Sequence, residues 1–232
     1  MTGKTVLIVG ASSGIGKSLA QLLIKQGVSV ISASRNNPEL EDVKHYTLDV
    51  TTAEPDFSFL PETLDGLVYC PGSINLRPFQ RLTIADFQKD MEVNFLGAVK
   101  TLQAAFKSLK KSESASVVLF STVASKLGMN FHSSIASAKA AVEGLGKSLA
   151  AEWSSQHIRV NVLAPSLTAT PLAERLLATD DKKEASNKRH PIGRYGTTHD
   201  LAEMASFLLS PKSSWITGQV IGIDGGVGSL KP

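Results

Sequence analysis

The chain of 232 residues contains one cysteine, Cys70, and no apolar run of the length that a membrane helix needs. A single cysteine excludes an internal disulfide framework and a thiolate metal cluster. The longest apolar runs, such as Val117–Phe120, are far shorter than the roughly 20 residues that cross a bilayer. The N-terminus has no charged segment followed by a long apolar one, which a secretory signal would require. We therefore expect no membrane partner and a cytoplasmic location.

Strong charge of one sign and metal-binding clusters are also lacking. The net charge is +3, whereas a nucleic-acid binder usually carries a dense basic field, so we expect no nucleic-acid partner. The five histidines are scattered, with none spaced for a zinc helix, and we expect no metal. With 42% apolar and only 19% charged residues, the chain can bury a sizeable core. Its length suits one domain over residues 1–232.

Short runs rich in valine, isoleucine and leucine alternate with longer segments of helical periodicity. This alternation predicts an α/β fold, in which helices cover both faces of a parallel sheet of about seven strands. The predicted strands are Thr5–Val9, Val28–Ala33, His45–Val50, Gly66–Cys70, Ser116–Ser121, Arg159–Ala164 and Gln219–Ile223.

The helices have recognisable ends. Gly27 is a C-cap, Thr83 is an N-cap with a carboxylate three residues later, and Pro211 stops the last helix. The predicted helical ranges are Gly14–Gln26, Thr83 to about Lys110 (one helix or a close pair), Ser134–Trp153 and Asp200–Leu209. The polar stretch Ser166–Arg194 predicts a long excursion beside a functional site.

A glycine-rich turn joins the first strand to the first helix. Its sequence is Gly10-Ala11-Ser12-Ser13-Gly14-Ile15-Gly16. Glycines at such a turn let the backbone approach a pyrophosphate, and the helix N-terminus adds free N–H groups and a positive dipole. The turn therefore predicts a dinucleotide site that includes Gly10, Ser12, Ser13, Gly14, Ile15 and Gly16.

Over nearly its whole length the chain resembles the short-chain dehydrogenase/reductase family. The resemblance rests on the glycine spacing of Gly10, Gly14 and Gly16, although Val9 replaces the usual threonine before the first glycine. The further matches are Leu48-Asp49-Val50, Cys70-Pro71-Gly72 in place of Asn-Ala-Gly, Val93-Asn94-Phe95-Leu96-Gly97, Pro165-Ser166-Leu167-Thr168-Ala169-Thr170 and Ile223-Asp224-Gly225-Gly226. The resemblance implies a doubly wound Rossmann-type domain that binds a nicotinamide dinucleotide.

The resemblance also implies a role for residues outside the glycine turn. Asp49 and Val50 would contact adenine, Asn94 would hold a water near the catalytic lysine, and Lys139 would bind the nicotinamide ribose. Gly72, Pro165, Thr168 and Thr170 would complete the cofactor site. At the end of the second strand, Ser34 is uncharged and Arg35 follows, where an NAD enzyme would want a carboxylate. This favours NADP(H) over NAD(H), because a guanidinium binds a 2′-phosphate.

The catalytic segment departs from the family pattern of a serine, a tyrosine thirteen residues later and a lysine four residues after that. Lys139 is present, but Ile135 occupies the tyrosine position and Thr122 the serine position, with Ser121 adjacent. Threonine can replace serine as a hydroxyl donor, whereas isoleucine cannot act as an acid.

Three interpretations remain open. In the first, another group supplies the proton: His132, seven residues before Lys139, where the enoyl-reductase branch of the family carries its tyrosine, or Tyr195. In the second, the chain binds the dinucleotide without turnover, as a sensor or subunit. In the third, the chain is only an oligomerising scaffold. The presence of the glycine turn, Asn94 and Lys139 argues against this third interpretation.

The first interpretation predicts an NADP(H)-dependent oxidoreductase, which transfers a hydride to or from a carbonyl or activated double bond of a small substrate. The alanine-rich helix with Gly144 and Gly146 offers a face to a symmetric partner, and with the resemblance it predicts a homodimer or homotetramer.

Overall fold

The computed structural model describes residues 1–231. Seven parallel strands form one sheet in the order β3-β2-β1-β4-β5-β6-β9, which confirms the predicted fold class. The strands are β1 Thr5–Val9, β2 Ser29–Ser34, β3 Val43–Thr47, β4 Gly66–Tyr69, β5 Ala115–Phe120, β6 Ile158–Pro165 and β9 Val220–Ile223. A separate two-stranded sheet pairs β7 Thr168–Ala169 with β8 Gly196–Thr197.

Helices cover both faces of the large sheet. They are α1 Gly14–Lys25, α2 Ile84–Met91, α3 Gly97–Lys110, α4 Ser133–Trp153, α5 Asp180–Arg189 and α6 Thr198–Leu209. Along β1, Leu7 and Val9 pack in the core under α3 and α4, whereas Val6 and Ile8 pack in the core under α1 and α6. Because successive side chains of a strand point to opposite faces, a strand covered on both sides is apolar throughout.

The strand order places a crevice beside β1. The chain passes from β1 outward to β2 and β3 and then returns to β4 on the other side of β1. In open parallel sheets, ligands bind at this reversal, outside the carboxyl ends of the strands. The glycine turn after β1 lies at that edge.

The predicted limits of β3 were wrong at both ends. The strand begins at Val43, opposite Val30 of β2, and ends at Thr47, opposite Ser34, instead of running to Val50. Leu48 and Val50 are apolar because their side chains enter the core after the chain has left the sheet. The apolar pattern at Leu48 and Val50 therefore reflects burial and not strand pairing.

The predicted helical stretch from Thr83 to Lys110 is a pair of helices joined by a π-helical turn. Thr83 and Asp86 form the capping box that starts α2. The π turn, Glu92–Leu96, separates α2 from α3 and contains Asn94. Single π turns within helices occur frequently at functional sites.

Helix α5 lies in the excursion between Ser166 and Arg194 and was not predicted. This helix has no apolar face, and Ser186 is the only one of its described residues that is buried. Thr179 caps its start, and the ion pairs Lys183–Asp180 and Lys188–Glu184 run along it. Hydrophobic periodicity cannot detect a helix stabilised by caps and ion pairs.

Of the two glycines of α4, only Gly146 approaches a neighbour within the chain. A Cβ at Gly146 would lie 2.6 Å from the side chain of Val162, whereas a Cβ at Gly144 would meet nothing within 4 Å. Among residues 1–231, no helix has the length and apolar character needed to span a membrane.

Candidate functional site

The glycine turn after β1 forms a cradle at the start of α1. Gly10 and Gly14 have positive φ angles of 84° and 57°, which glycine adopts without strain. A Cβ at Gly16 would lie 2.3 Å from the carbonyl oxygen of Gly10, so only glycine fits there. Ser13, at the N-cap position, makes no side-chain cap hydrogen bond. The first N–H groups of α1 are therefore free to bind an anion such as a pyrophosphate.

A pocket of about 1030 Å³ runs along the carboxyl edge of the sheet from this turn. It is large enough for a dinucleotide with a small substrate. The candidate residues on its wall are Gly10, Ser12, Ser13, Gly14, Ile15, Gly16, Ser34, Arg35, Asp49, Val50, Gly72, Thr122, His132, Lys139, Pro165, Thr168 and Thr170. Asn94 is fully buried and is not among the residues of the pocket wall.

The β2 end of the pocket lacks a carboxylate at the strand terminus. The hydroxyl of Ser34 donates to the backbone oxygen of Asn36, and the exposed Arg35 lines the wall beside it. Asp49 accepts hydrogen bonds from the backbone and hydroxyl of Thr51, which together hold the pKa of its carboxyl below the usual range, with Arg35 adding to the effect. The β2 end of the pocket therefore holds the Asp49 carboxylate, which is already hydrogen-bonded, and the Arg35 guanidinium, which makes no salt bridge within residues 1–231.

Lys139 lies on α4 near the centre of the pocket. Its amine is buried and donates to the backbone oxygen of Phe120 at the end of β5, 2.9 Å away. Burial lowers the pKa of Lys139 to about 8, opposed by the neighbouring Cys70 and Asp90. Most of the amine is still protonated at pH 7, and the cation lies where a ribose hydroxyl could accept from it.

Asn94 points towards the same space as the Lys139 amine. Its Nδ2 donates to Ser73 and to the backbone oxygen of Asp90, whereas its buried Oδ1 has no partner among the described residues. A Cβ at Gly72 would lie 3.3 Å from that Oδ1 and 3.6 Å from the Lys139 amine. An unpartnered buried oxygen beside an ammonium group suits a bound water or a ligand hydroxyl.

A buried carboxylate, Asp90, lies behind this site and escaped the sequence analysis. It accepts from the hydroxyls of Ser73, at 2.6 Å, and Ser134, at 2.5 Å. Through these bonds Asp90 fixes α2 to the start of α4. No local sequence pattern predicts the burial of Asp90, because α2 is a polar helix with few buried residues.

The structure distinguishes between the two candidate hydroxyls after β5. Ser121 donates to the buried carboxylate of Glu143 at 2.7 Å, so its proton is already committed. The Thr122 oxygen accepts from the backbone of Ala124 and retains a free proton on the pocket wall. Thr122 is thus the hydroxyl that can donate to a substrate oxygen.

Ile135 and His132 border the same part of the pocket. Ile135 lies one helical turn before Lys139 and is 6% exposed, so an aliphatic side chain fills that position. His132 is a half-buried residue at the N-cap of α4, where its Nδ1 lies 2.7 Å from the backbone oxygen of Asn130. Tyr195 is not on the pocket wall.

The outer wall of the pocket comes from the segment between β6 and α5. It includes Lys182 and Arg189 of α5, with Lys89 opposite on α2. None of these three cations is paired with a carboxylate within residues 1–231. Nothing in the sequence predicts their place on the pocket wall, because it depends on the position of α5. No cluster of three or more metal-ligating side chains occurs in the described chain.

A model for a protein family described as enoyl-(acyl carrier protein) reductase matches residues 10–228. A tropinone reductase homologue of Arabidopsis thaliana is 32% identical, over 98% of this chain and 94% of its own length. A 3-oxoacyl-[acyl-carrier-protein] reductase of Thermotoga maritima is also 32% identical, over 98% of both chains.

Solved structures show the same architecture. A crystal structure described as a 2-deoxy-D-gluconate 3-dehydrogenase from Agrobacterium tumefaciens, with bound NADP, superposes with a TM-score of 0.92. It is 29% identical, and the match covers 99% of this chain and 98% of the other.

Proposed function

This chain belongs to the short-chain dehydrogenase/reductase family of NAD(P)-dependent oxidoreductases, and on that premise we propose that it is an active NADP(H)-dependent enzyme. Its reaction is hydride transfer between the nicotinamide and a carbonyl or activated double bond of a small substrate. The observation that carries the proposal is the single pocket that joins the open N-terminus of α1 to the Lys139 amine and the Thr122 hydroxyl.

The residues of the pocket fit an NADP molecule. The free N–H groups of α1 suit the pyrophosphate, and Arg35 suits a 2′-phosphate that no strand-end carboxylate would repel. The bound NADP of the Agrobacterium tumefaciens relative supports the same cofactor. When bound, the reduced nicotinamide supplies the hydride.

Lys139 and Thr122 would have separate roles in this reaction. The protonated Lys139 amine would hold the ribose hydroxyls, and Asn94 Oδ1 would fix a water beside it. Thr122 would donate a hydrogen bond to the substrate oxygen and so stabilise the negative charge that develops there.

Ile135 would occupy the position of the family's tyrosine acid. Without a phenol at this point, a different group must protonate the substrate oxygen, because an alkoxide in an apolar pocket is costly. His132 is one candidate on the pocket wall.

The three unpaired cations of the outer wall support a substrate that carries a carboxylate or phosphate. Lys89, Lys182 and Arg189 line the pocket, and none of the three forms a salt bridge within residues 1–231. An anionic substrate would be attracted to this end, and the attraction would weaken with salt. Comparing 3-oxo acids with their neutral esters, at low and high salt, tests this substrate class.

A fluorescence titration with NADPH, followed by a consumption assay against ketones, 3-oxo acids and enoyl thioesters, tests the proposal. We expect saturable binding and consumption with at least one class. Loss of both in a stably folded protein would contradict it.

The absence of an acid at Ile135 favours one alternative, a dinucleotide-binding protein without turnover. Such a sensor or subunit would bind NADPH and consume none with any of the substrate classes. The same two assays therefore separate the two functions.

For its surroundings, we propose a cytoplasmic homodimer or homotetramer that contacts neither nucleic acid nor membrane. The open space at Gly144 on α4 supports a helix face that accepts a partner. A sedimentation mass of a single 24.7 kDa chain at micromolar concentration would contradict this assembly.

A further inference from the structure

A serine and a histidine form a pair at the pocket wall. Ser166 Oγ lies 3.0 Å from Nε2 of His190, and Nδ1 of His190 lies 2.6 Å from the backbone oxygen of Ser186. Since a carbonyl only accepts, Nδ1 carries a proton in both charge states of the ring. Nε2 is therefore the nitrogen that gains and loses a proton, and it faces the serine hydroxyl.

The two side chains differ in their access to the pocket. His190 is 3% exposed and is not on the wall, whereas Ser166 lines the wall. A hydroxyl that faces a ligand, with an imidazole behind it and a third group that orients the imidazole, can pass a proton between the imidazole and the ligand.

Ser166 lies at the same edge of the sheet as Thr122. Phe120 of β5 is paired with Leu163 of β6, Thr122 follows two residues after Phe120, and Ser166 three residues after Leu163. Adjacent strands are about 4.8 Å apart, so the two hydroxyls leave the sheet on neighbouring strands. Both hydroxyls line the pocket, so a substrate oxygen bound to Thr122 would lie on the side of the pocket to which Ser166 belongs.

Resting on the proposed oxidoreductase function, we propose that Ser166 and His190 form the proton relay that replaces the missing tyrosine. In the reductive direction, a hydride forms the new C–H bond at the substrate carbon and the C=O π pair moves to oxygen. That oxygen takes the proton of Ser166, and Ser166 takes the Nε2 proton that His190 carries when both of its ring nitrogens are protonated. His190 is left neutral with Nδ1 still donating to the backbone oxygen of Ser186, and after the product leaves, water in the pocket returns a proton through Ser166.

A spectroscopic test needs neither substrate nor cofactor. Nitrogen NMR of the protein labelled with ¹⁵N-histidine, with signals assigned by histidine variants, should show neutral His190 with its proton on Nδ1. Ser166→Ala should shift the Nε2 signal of His190, whereas Ser137→Ala, an exposed serine on α4, should not. A neutral ring with its proton on Nε2 overturns the relay.

A kinetic test uses the full chain with NADPH and a substrate that the parent reduces. Ser166→Ala and His190→Gln should each lower kcat by about 10²-fold or more, with the affinity for NADPH retained. The double variant should be no slower than either single one, because both remove the same proton path. Ser166→Thr, which keeps a hydroxyl, should recover most of the rate lost in Ser166→Ala. His199→Gln, an exposed histidine, is the matched control.

The outcomes separate the relay from the function on which it rests. A parent that reduces substrate while Ser166→Ala retains its rate overturns the relay alone. A parent that binds NADPH and reduces nothing overturns both. If His190→Gln does not fold, Ser166→Ala still decides, since it removes a single oxygen from a residue on the pocket wall.

Discussion

Replacing Ile135 with tyrosine places an acid next to Lys139, and the outcome follows from the geometry of α4. Residues 135 and 139 lie one turn apart on the same face of the helix, and both line the pocket. The neighbouring ammonium, whose pKa is about 8, would stabilise a phenolate and so make the phenol a stronger acid.

The size of the gain depends on whether another acid is already present. General acid catalysis contributes about 10²–10⁴-fold, so Ile135→Tyr should raise kcat for ketone reduction by that factor in the Ser166→Ala background. In the parent the gain should be smaller, because the relay already delivers a proton. Since Ile135 is 6% exposed, the larger ring should cost about 1–3 kcal/mol of unfolding free energy.

The assay is NADPH consumption with a ketone that the parent turns over, together with urea unfolding of each variant. Ile135→Phe is the matched control, since it has nearly the same size and no hydroxyl. Equal rates in the tyrosine and phenylalanine variants of the Ser166→Ala protein would show that the tyrosine hydroxyl does not act as the acid.

Three further predictions concern the cofactor and its lysine. In a fluorescence titration, Arg35→Ala should weaken NADPH binding by about tenfold or more, because a charged hydrogen bond is lost, and should leave the affinity for NADH unchanged. An equal loss of affinity for NADPH and NADH would contradict the 2′-phosphate site. Gly16→Ala should reduce NADPH binding, because its Cβ would lie 2.3 Å from the Gly10 carbonyl oxygen; retained affinity would show that the turn is not the phosphate cradle. The folded protein releases the proton of Lys139 near pH 8, whereas the unfolded chain releases it near pH 10.5. In urea unfolding, the free energy of unfolding of the parent, relative to that of Lys139→Met, should therefore rise by roughly 3 kcal/mol between pH 8 and pH 10.5. A difference between the two proteins that does not change with pH would contradict the buried ammonium.

The parallel sheet was predictable because its strands are apolar on both faces. β1 and β5 show this pattern clearly, and the predicted limits of β1 match the structure. β3 is an edge strand with half-exposed polar side chains, so its limits were misplaced. Helix α5 was invisible to the same reasoning, since ion pairs and a cap define it.

Within the candidate site, the sequence located residues that recur at fixed spacings. The glycine turn and Lys139 belong to this group, and both line the pocket. Ser166 and His190 are 24 positions apart in the sequence, and their contact depends on how the chain through α5 folds back. Asn94 lies near the Lys139 amine, as its place in the sequence motif predicts, but a position in a helix does not predict that the side chain is completely buried.

The most direct test of the account is the transfer of deuterium from NADPH deuterated at nicotinamide C4 to a reduced product, followed by mass spectrometry. The account predicts a product heavier by one deuterium with at least one ketone, 3-oxo acid or enoyl thioester, and no such product with Lys139→Met. Saturable NADPH binding with no labelled product from any of these classes, in both the parent and Ile135→Tyr, would contradict the claim that this chain is an oxidoreductase.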